Sequence, residues 1–90
     1  MSSWYVYMVR CVDQTLYTGV TTDLERRLRE HNECNRTGAR YTRARRPVTL
    51  AWHEAQTDRA QATRREAVIK RMSRQCKDEL IEQACSRTTS

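Results

Sequence analysis

The stretch that decides the fold is WYVYMVRCVDQTLYTGVTTDLERRLREH, residues 4–31. Its first part, residues 4–11, is aromatic and β-branched. Both faces of this segment are largely apolar, which predicts a central β-strand covered on both sides. Residues 13–14 predict a turn and residues 15–20 predict a second short strand. The tight connection indicates that the two strands form a β-hairpin.

A helix start follows the hairpin. Thr22 and Glu25 match the capping-box pattern, with Thr22 as the cap and Glu25 reaching back to it, and the helix should continue to about residue 32. Its apolar stripe includes His31, and Arg27 borders that stripe. Because Arg27 and His31 are four residues apart, their side chains should be neighbours on one face.

The segment 33–47 shows no periodicity and predicts a basic loop. A connection of this length is unusual in a small domain, and such loops are usually functional. Its basic residues surround Gly38 and Tyr41 and are Arg36, Arg40, Arg43, Arg45 and Arg46.

The remaining chain predicts one more strand and two helices. Residues 48–55 alternate in hydropathy, which indicates a third strand. Asp58, next to Thr57, offers an N-cap for a helix to about residue 71, and Ser73 offers one for a helix over 74–85. We therefore expect residues 1–85 to form one domain, with a disordered tail at 86–90. The fold class is α/β of the α+β type, a three-stranded, mostly antiparallel sheet flanked by about three helices.

Composition points to an anionic partner. The 90 residues carry a net charge of +6, with 15 Arg and 2 Lys. Arginine suits bidentate phosphate contacts, although a high-GC genome would also explain the bias. The four cysteines lie in different segments without a C-x-x-C pair, which argues against a zinc or redox site. The apolar N-terminal run is too short for a signal peptide or a membrane span, so we expect a cytoplasmic protein with no membrane partner.

Five residues have the chemical types that phosphodiester cleavage requires. The attacking water needs a base and the pentavalent phosphate needs cations. Tyr7 and Tyr17 could supply a hydroxyl, Arg27 a fixed positive charge, His31 a proton relay and Glu66 an inward-facing ligand for a divalent metal. Each residue taken singly also has a structural interpretation: a core aromatic, a solvated arginine, a helix-end histidine or an ion-paired carboxylate.

The joint spacing of these residues resembles the signature of the GIY-YIG nuclease superfamily. Tyr5-Val6-Tyr7 is followed, after nine residues, by Tyr17-Thr18-Gly19, and Arg27, His31 and Glu66 fall where that family has them. The stretches LYTGVTTDLERRLREHN, GARYTRARRPVTL and RREAVIKRMSR are similar to a branch of small, stand-alone bacterial proteins. That branch is related to the catalytic domain of the Slx-type structure-specific endonucleases, and the resemblance covers residues 4–81.

The resemblance implies a single-metal endonuclease acting on DNA, with branched or damaged DNA as a candidate substrate. Tyr7 or Tyr17 would act as, or relay to, the general base, and Arg27 would hold the scissile phosphate. His31 would orient the tyrosine or shuttle its proton, and Glu66 would ligate Mg²⁺ or Mn²⁺. Gly19 would permit a close approach of the backbone at the strand end. The chain departs from the family in lacking a late Asn, since the corresponding stretch reads RQCKDELIEQ.

The basic loop is the predicted nucleic-acid-binding surface, where arginines neutralise phosphates and one aromatic residue stacks on a base. The residues concerned are Arg40, Tyr41, Arg43, Arg45 and Arg46. The alternative for this segment is a solvated charge run. The alternative for the whole chain is a non-catalytic nucleic-acid-binding module with the same fold, which would have no need of all five site residues.

Overall fold

A computed structural model describes residues 4–34 and 40–89, with side chains as far as residue 84. In chain order the elements are β1 (Trp4–Arg10), β2 (Leu16–Thr21), α1 (Leu24–Glu33), α2 (Arg40–Arg43), β3 (Thr49–Gln56), α3 (Arg59–Arg71) and α4 (Arg74–Thr89).

The three strands form one antiparallel sheet in the order β2-β1-β3. Tyr7 in the central strand is paired with Gly19 of β2 on one side and with His53 of β3 on the other. An irregularity between Met8 and Val9 shifts the register with β3. The predicted α+β class, the hairpin and the central position of the first strand are confirmed.

Two separate cores lie on the two faces of β1. On one face Val6 and Met8 are fully buried against α3 and α4, which contribute Ala62, Ile69 and Ile81. On the other face Tyr7 and Val9 pack with Cys11, Val48 and the α1 residues Leu24 and Leu28. Each fully buried aliphatic side chain contributes about 1.5–3 kcal/mol. Because successive side chains of β1 point to opposite faces of the sheet, alternate residues of this strand pack against α3 and α4 on one face and against α1 on the other.

The N-cap of α1 is Asp23, so the predicted capping box at Thr22 is wrong by one residue. The Asp23 carboxylate accepts the backbone N–H of Arg26 at 3.0 Å, and Asp23 has extended backbone dihedrals. Thr21 orients this cap, because its Oγ1 accepts the Asp23 N–H at 3.1 Å. A carboxylate at this end of a helix also complements the helix dipole.

The C-terminal end of α1 is tied to the segment that precedes β3. Arg46 donates from Nε to the carbonyl of His31 at 2.6 Å and from Nη2 to the carbonyl of Cys34 at 3.0 Å. Asn32 makes two hydrogen bonds with the backbone of Val48, one accepted at 2.7 Å and one donated at 3.0 Å. These contacts satisfy helix-end carbonyls and fix the height of His31 above the sheet.

The predicted basic loop is not irregular throughout, because α2 forms within it. A single helical turn is too short to produce a hydrophobic period, so the sequence pattern could not reveal it. Arg36 and Gly38 lie outside the described residues.

The C-terminal helices begin as predicted. Asp58 caps α3 by accepting the N–H of Gln61 at 2.8 Å, and the Ser73 hydroxyl accepts the N–H of Cys76 at 3.2 Å. The α4 backbone continues to Thr89, beyond the predicted end near residue 85 and through most of the predicted tail.

None of the helices in the described part of the chain combines the length and the hydropathy that a membrane span requires.

Candidate active site

The hydroxyl of Tyr7 is the centre of the candidate site. The residue lies in the central strand and is 2% exposed. Its Oη lies 2.7 Å from Nε2 of His31 and accepts a hydrogen bond from Nε of Arg27 at 3.3 Å. Since α1 crosses this face of the sheet, its residues 27 and 31 reach the same phenol from one helix face. The structure thus brings together three of the five residues that the sequence predicted.

Gly19 makes room for this phenol. Residues 7 and 19 are cross-strand partners, and a Cβ atom at position 19 would lie 2.6 Å from Oη and 2.8 Å from Cζ of Tyr7. Both distances are far below normal van der Waals contact, so only glycine fits under the ring as it stands. The expected close approach at Gly19 therefore exists, but the approaching group is a side chain rather than the backbone.

His31 is fully buried and neutral at physiological pH. Burial, followed by the positive charge of Arg27, lowers its pKa to about 4, with a further contribution from Arg46 and an opposing one from Glu30. Its other ring nitrogen, Nδ1, lies 2.8 Å from Oγ1 of Thr42, which is also fully buried. Both ring nitrogens are therefore engaged.

Tyr7 is held as a neutral phenol. Burial raises its pKa to about 12, and the nearby Tyr17 and Glu66 act in the same direction. The hydrogen bond and charge of Arg27 oppose this rise without cancelling it. A pre-formed phenolate is consequently a very small fraction of the resting state.

Arg27 keeps its charge at the edge of the site. Burial alone would lower its pKa, but hydrogen bonds to Tyr7 and Glu30 outweigh this effect and raise it. Its Nη1 forms an ion pair with Glu30 at 3.0 Å, and the side chain is 23% exposed. A cation that is both anchored and partly open to solvent is suited to contact an external phosphate.

Tyr17 sits beside the centre and makes ring contacts. Its ring meets His31 edge-on at a centroid distance of 5.3 Å and stacks on Tyr41 at 5.9 Å. Within residues 4–34 and 40–84, no group forms a hydrogen bond with the Tyr17 hydroxyl. The two tyrosines thus differ: Tyr7 is connected to a possible proton acceptor, and Tyr17 packs at the rim.

Glu66 projects from the sheet-facing side of α3, where its side chain is 21% exposed. Its charge contributes to the raised pKa of Tyr7, so the carboxylate is within electrostatic reach of the phenol. It also forms an ion pair with Lys70 at 3.3 Å. In the described part of the chain no three His, Cys, Asp or Glu side chains gather around one point. Glu66 is the one carboxylate that the sequence predicted as a metal ligand.

The four arginines predicted to bind nucleic acid fall into two groups. Arg40 and Arg43 are exposed, and neither forms a hydrogen bond or ion pair with another described residue. Arg45 pairs with Asp13 at 3.1 Å and lies 4.0 Å from the ring centre of Tyr41. Arg46 binds the end of α1. The geometry gives the second group a structural role, and binding of nucleic acid by any of them stays a prediction.

Thr42 and Asn32 are site-supporting residues that the sequence reasoning missed. Thr42 stands among arginines in a segment without periodicity, and it is buried in the folded protein, where α2 packs on α1. Asn32 follows His31 directly, and a polar residue at a helix end carries no distinctive signal.

Comparison with known proteins identifies the family to which this chain and its fold belong. The protein-family model for the GIY-YIG catalytic domain matches residues 3–79 of the chain. A UPF0213 protein of Staphylococcus haemolyticus is 47% identical over 92% of this chain and 99% of its own length. Another, from Desulfotalea psychrophila, is 54% identical over 79% of this chain, and the matched region spans only 64% of that relative.

Solved structures match as well. A solution NMR structure of an E. faecalis protein has a TM-score of 0.61 and 40% identity, covering 92% of this chain and 86% of that one. A solution NMR structure of a UPF0213 protein from Bacillus halodurans has a TM-score of 0.57 and 39% identity, and the match covers 89% of this chain and 83% of that one. The fold and the site thus define a class, and the chain belongs to the GIY-YIG catalytic domain family. Its relatives within that family are UPF0213 proteins, and membership points to nuclease activity.

Proposed function

We propose that this chain is a metal-dependent endonuclease that hydrolyses phosphodiester bonds in DNA. The observation that carries the proposal is the Tyr7 hydroxyl, held between Nε2 of His31 and the guanidinium of Arg27. One point in space thereby combines a proton-carrying hydroxyl, a neutral base behind it and a permanent cation beside it. A protein that only binds DNA has no use for this combination.

The raised pKa of Tyr7 decides how the proton moves. At pH 7 only roughly one Tyr7 in 10⁵ is ionised, given a pKa of about 12. We therefore assign Tyr7 as a relay: its oxygen accepts a proton from the attacking water while its own proton passes to Nε2 of His31. We prefer Tyr7 to Tyr17 for this step because, among the described residues, the hydroxyl of Tyr7 has an imidazole nitrogen at hydrogen-bonding distance and that of Tyr17 does not.

Arg27 would bind the scissile phosphate and offset the charge of the pentavalent transition state. Its contact with Tyr7 fixes the guanidinium within hydrogen-bonding distance of the relay. Binding of an anion there would also weaken the repulsion between Arg27 and a protonated His31, which is one cause of the low pKa of His31. Substrate binding would thus make His31 a better proton acceptor.

Glu66 is the proposed metal ligand. Mg²⁺ usually binds proteins through one or two carboxylates and completes its shell with water and substrate phosphates, so one glutamate suits Mg²⁺ or Mn²⁺ better than Zn²⁺. When bound, such an ion supplies positive charge at the phosphate oxygens. Lys70 would have to release or share the Glu66 carboxylate, and its partly exposed side chain leaves it room to do so.

Arg40 and Arg43 are the proposed contacts for the DNA backbone. Both are exposed on the segment that packs against α1, next to Tyr41 and Tyr17 of the site rim. Branched and damaged DNA, of the kind handled in repair and recombination, are the substrates to test first.

The test is cleavage of single-stranded, duplex, flap and branched DNA by the purified protein with Mg²⁺ or Mn²⁺. Tyr7→Phe and Glu66→Gln should each lower the rate by about 10²-fold or more. Glu79→Gln, which changes an exposed carboxylate on α4, should retain full activity. Equal rates in wild type and Glu66→Gln would indicate a contaminating nuclease. DNA binding without cleavage under all conditions would indicate a binding module instead.

A further inference from the structure

Thr42 is a buried hydroxyl-bearing residue behind the candidate site. It lies in α2 and is 0% exposed, as is its neighbour His31. Its Oγ1 lies 2.8 Å from Nδ1 of His31, and its backbone carbonyl accepts the N–H of Arg45 at 3.0 Å. The hydroxyl is therefore held at a fixed position on the side of the imidazole that faces away from Tyr7.

The contacts of Tyr7 determine which nitrogen of His31 carries the proton. A neutral imidazole has one N–H and one acceptor nitrogen, and a neutral phenol has one proton to donate. Arg27 already donates to the Tyr7 oxygen. If Nε2 were protonated, the phenol oxygen would receive two donors and its own proton would lose the acceptor at 2.7 Å. The consistent arrangement has the proton on Nδ1, donated to Thr42.

We propose that Thr42 is a positioning residue that holds His31 in the Nδ1–H tautomer, so that Nε2 can take the proton of Tyr7 during strand cleavage. This inference rests on the proposed function for its catalytic consequence, but the tautomer itself is a property of the resting protein. Thr42 touches neither DNA nor the reacting phosphate in this scheme and acts only through His31.

Removal of the hydroxyl should weaken the preference. In Thr42→Val the shape of the side chain is nearly kept, but Nδ1–H would face a methyl group in a buried site. An unpartnered buried donor is unfavourable, so the Nδ1–H tautomer is destabilised and a larger share of the rings should carry the proton on Nε2 and donate it to the Tyr7 oxygen. In that share the phenol proton has no acceptor in the relay. Thr42→Ser keeps the hydroxyl and should keep the tautomer.

The experiment combines ¹⁵N NMR of the imidazole nitrogens with DNA cleavage kinetics on wild type, Thr42→Val and Thr42→Ser. The chain has only two histidines, and the exposed His53 serves as an internal reference. Wild type and the serine variant should show a proton bound to Nδ1 of His31, and the valine variant should show a larger share of it on Nε2. The valine variant should also lose about tenfold or more in kcat with KM changed less than about threefold, and serine should restore most of the loss.

The two readouts separate the two proposals. An Nε2–H tautomer in the wild type, or an unchanged tautomer and kcat in the valine variant, would overturn the role of Thr42. If no DNA is cut even by the wild type, the proposed function fails, and the NMR comparison still supports or refutes the tautomer assignment. If Thr42→Val does not fold, the wild-type spectrum and the serine variant decide.

Discussion

Substitution of Gly19 by alanine tests the packing on which the candidate site depends. The added Cβ would lie 2.6 Å from Oη, 2.8 Å from Cζ and 3.1 Å from Cε1 of Tyr7. The ring would have to move by about 0.8 Å or more to reach a normal contact. It cannot yield like a flexible chain end, because it is rigid, buried and hydrogen-bonded to His31. Backbone strain is not involved, since no described glycine has a positive φ.

Two opposing effects determine how much Gly19→Ala changes the free energy of unfolding. Overpacking of a buried site costs about 1–3 kcal/mol, and replacement of glycine stabilises by about 0.4–1 kcal/mol through the unfolded chain. We expect a net loss of about 1–2 kcal/mol in the free energy of unfolding, or about 5–15 °C in Tm for a domain of this size. Because the displaced hydroxyl would leave the 2.7 Å contact with His31, cleavage should fall by about 10²-fold.

The assay is a double-mutant cycle by urea denaturation. In a Tyr7→Leu background the ring is absent, so Gly19→Ala should be neutral or slightly stabilising there. The difference between the two backgrounds is the coupling between positions 7 and 19, expected at about 1–2 kcal/mol. An equal cost of Gly19→Ala in both backgrounds would refute the steric reasoning, as would wild-type cleavage by the single variant.

Three further outcomes are expected. Between pH 7 and pH 5 the wild type should lose about 2 kcal/mol of unfolding free energy through His31, because the unfolded imidazole takes up a proton near pH 6.5 while the folded one resists it down to about pH 4. Urea denaturation at both pH values should show that this loss is absent in His31→Asn. An equal loss of unfolding free energy in the wild type and in His31→Asn would contradict the prediction. Arg46→Ala should lower the free energy of unfolding by about 1–3 kcal/mol, because two charged hydrogen bonds are lost. The control Arg43→Ala, at an exposed position, should lower it by less than about 0.5 kcal/mol. Equal losses in the two variants would contradict the role of Arg46 as a cap of α1. Arg27→Lys should keep the charge but lower kcat in steady-state cleavage by about 10²-fold, because an ammonium group cannot reproduce the contacts of the guanidinium with both Tyr7 and Glu30. Full activity of this variant would argue against a role of Arg27 at the scissile phosphate.

The features that the sequence predicted correctly are those decided by a local period or by a contact between near neighbours in the chain. The segment around Tyr7 alternates two apolar faces, and the structure buries both of them. The stripe through His31 follows the helical repeat, so its inward direction could be predicted before any tertiary contact was known. Asp58 and Ser73 are caps whose chemistry acts within three residues. In each case the deciding interaction lies within about one turn or one strand pair.

The features that the sequence could not predict depend on contacts between distant segments. Thr42 in α2 is buried beside His31 of α1, 11 residues away, and Arg46 reaches carbonyls 12 and 15 residues away. The choice of Asp23 over Thr22 as the cap depends on how Thr21 leaves the hairpin. For the candidate site, spacing identified the residue types. Only the structure showed that the Tyr7 hydroxyl lies within hydrogen-bonding distance of an imidazole nitrogen, and that the Tyr17 hydroxyl has no such partner among the described residues.

The candidate site is also the core of one face of the sheet, and this overlap constrains how its variants should be interpreted. Tyr7 and His31 occupy positions where aliphatic residues would pack, so their polar atoms must be satisfied by each other and by Arg27 and Thr42. Removal of any one of these groups leaves a buried polar partner, which costs stability as well as chemistry. Tyr7→Phe, for example, deprives Nε2 of His31 of its proton donor. Rates for such variants should therefore be measured under conditions where the unfolding free energy shows that each protein is fully folded.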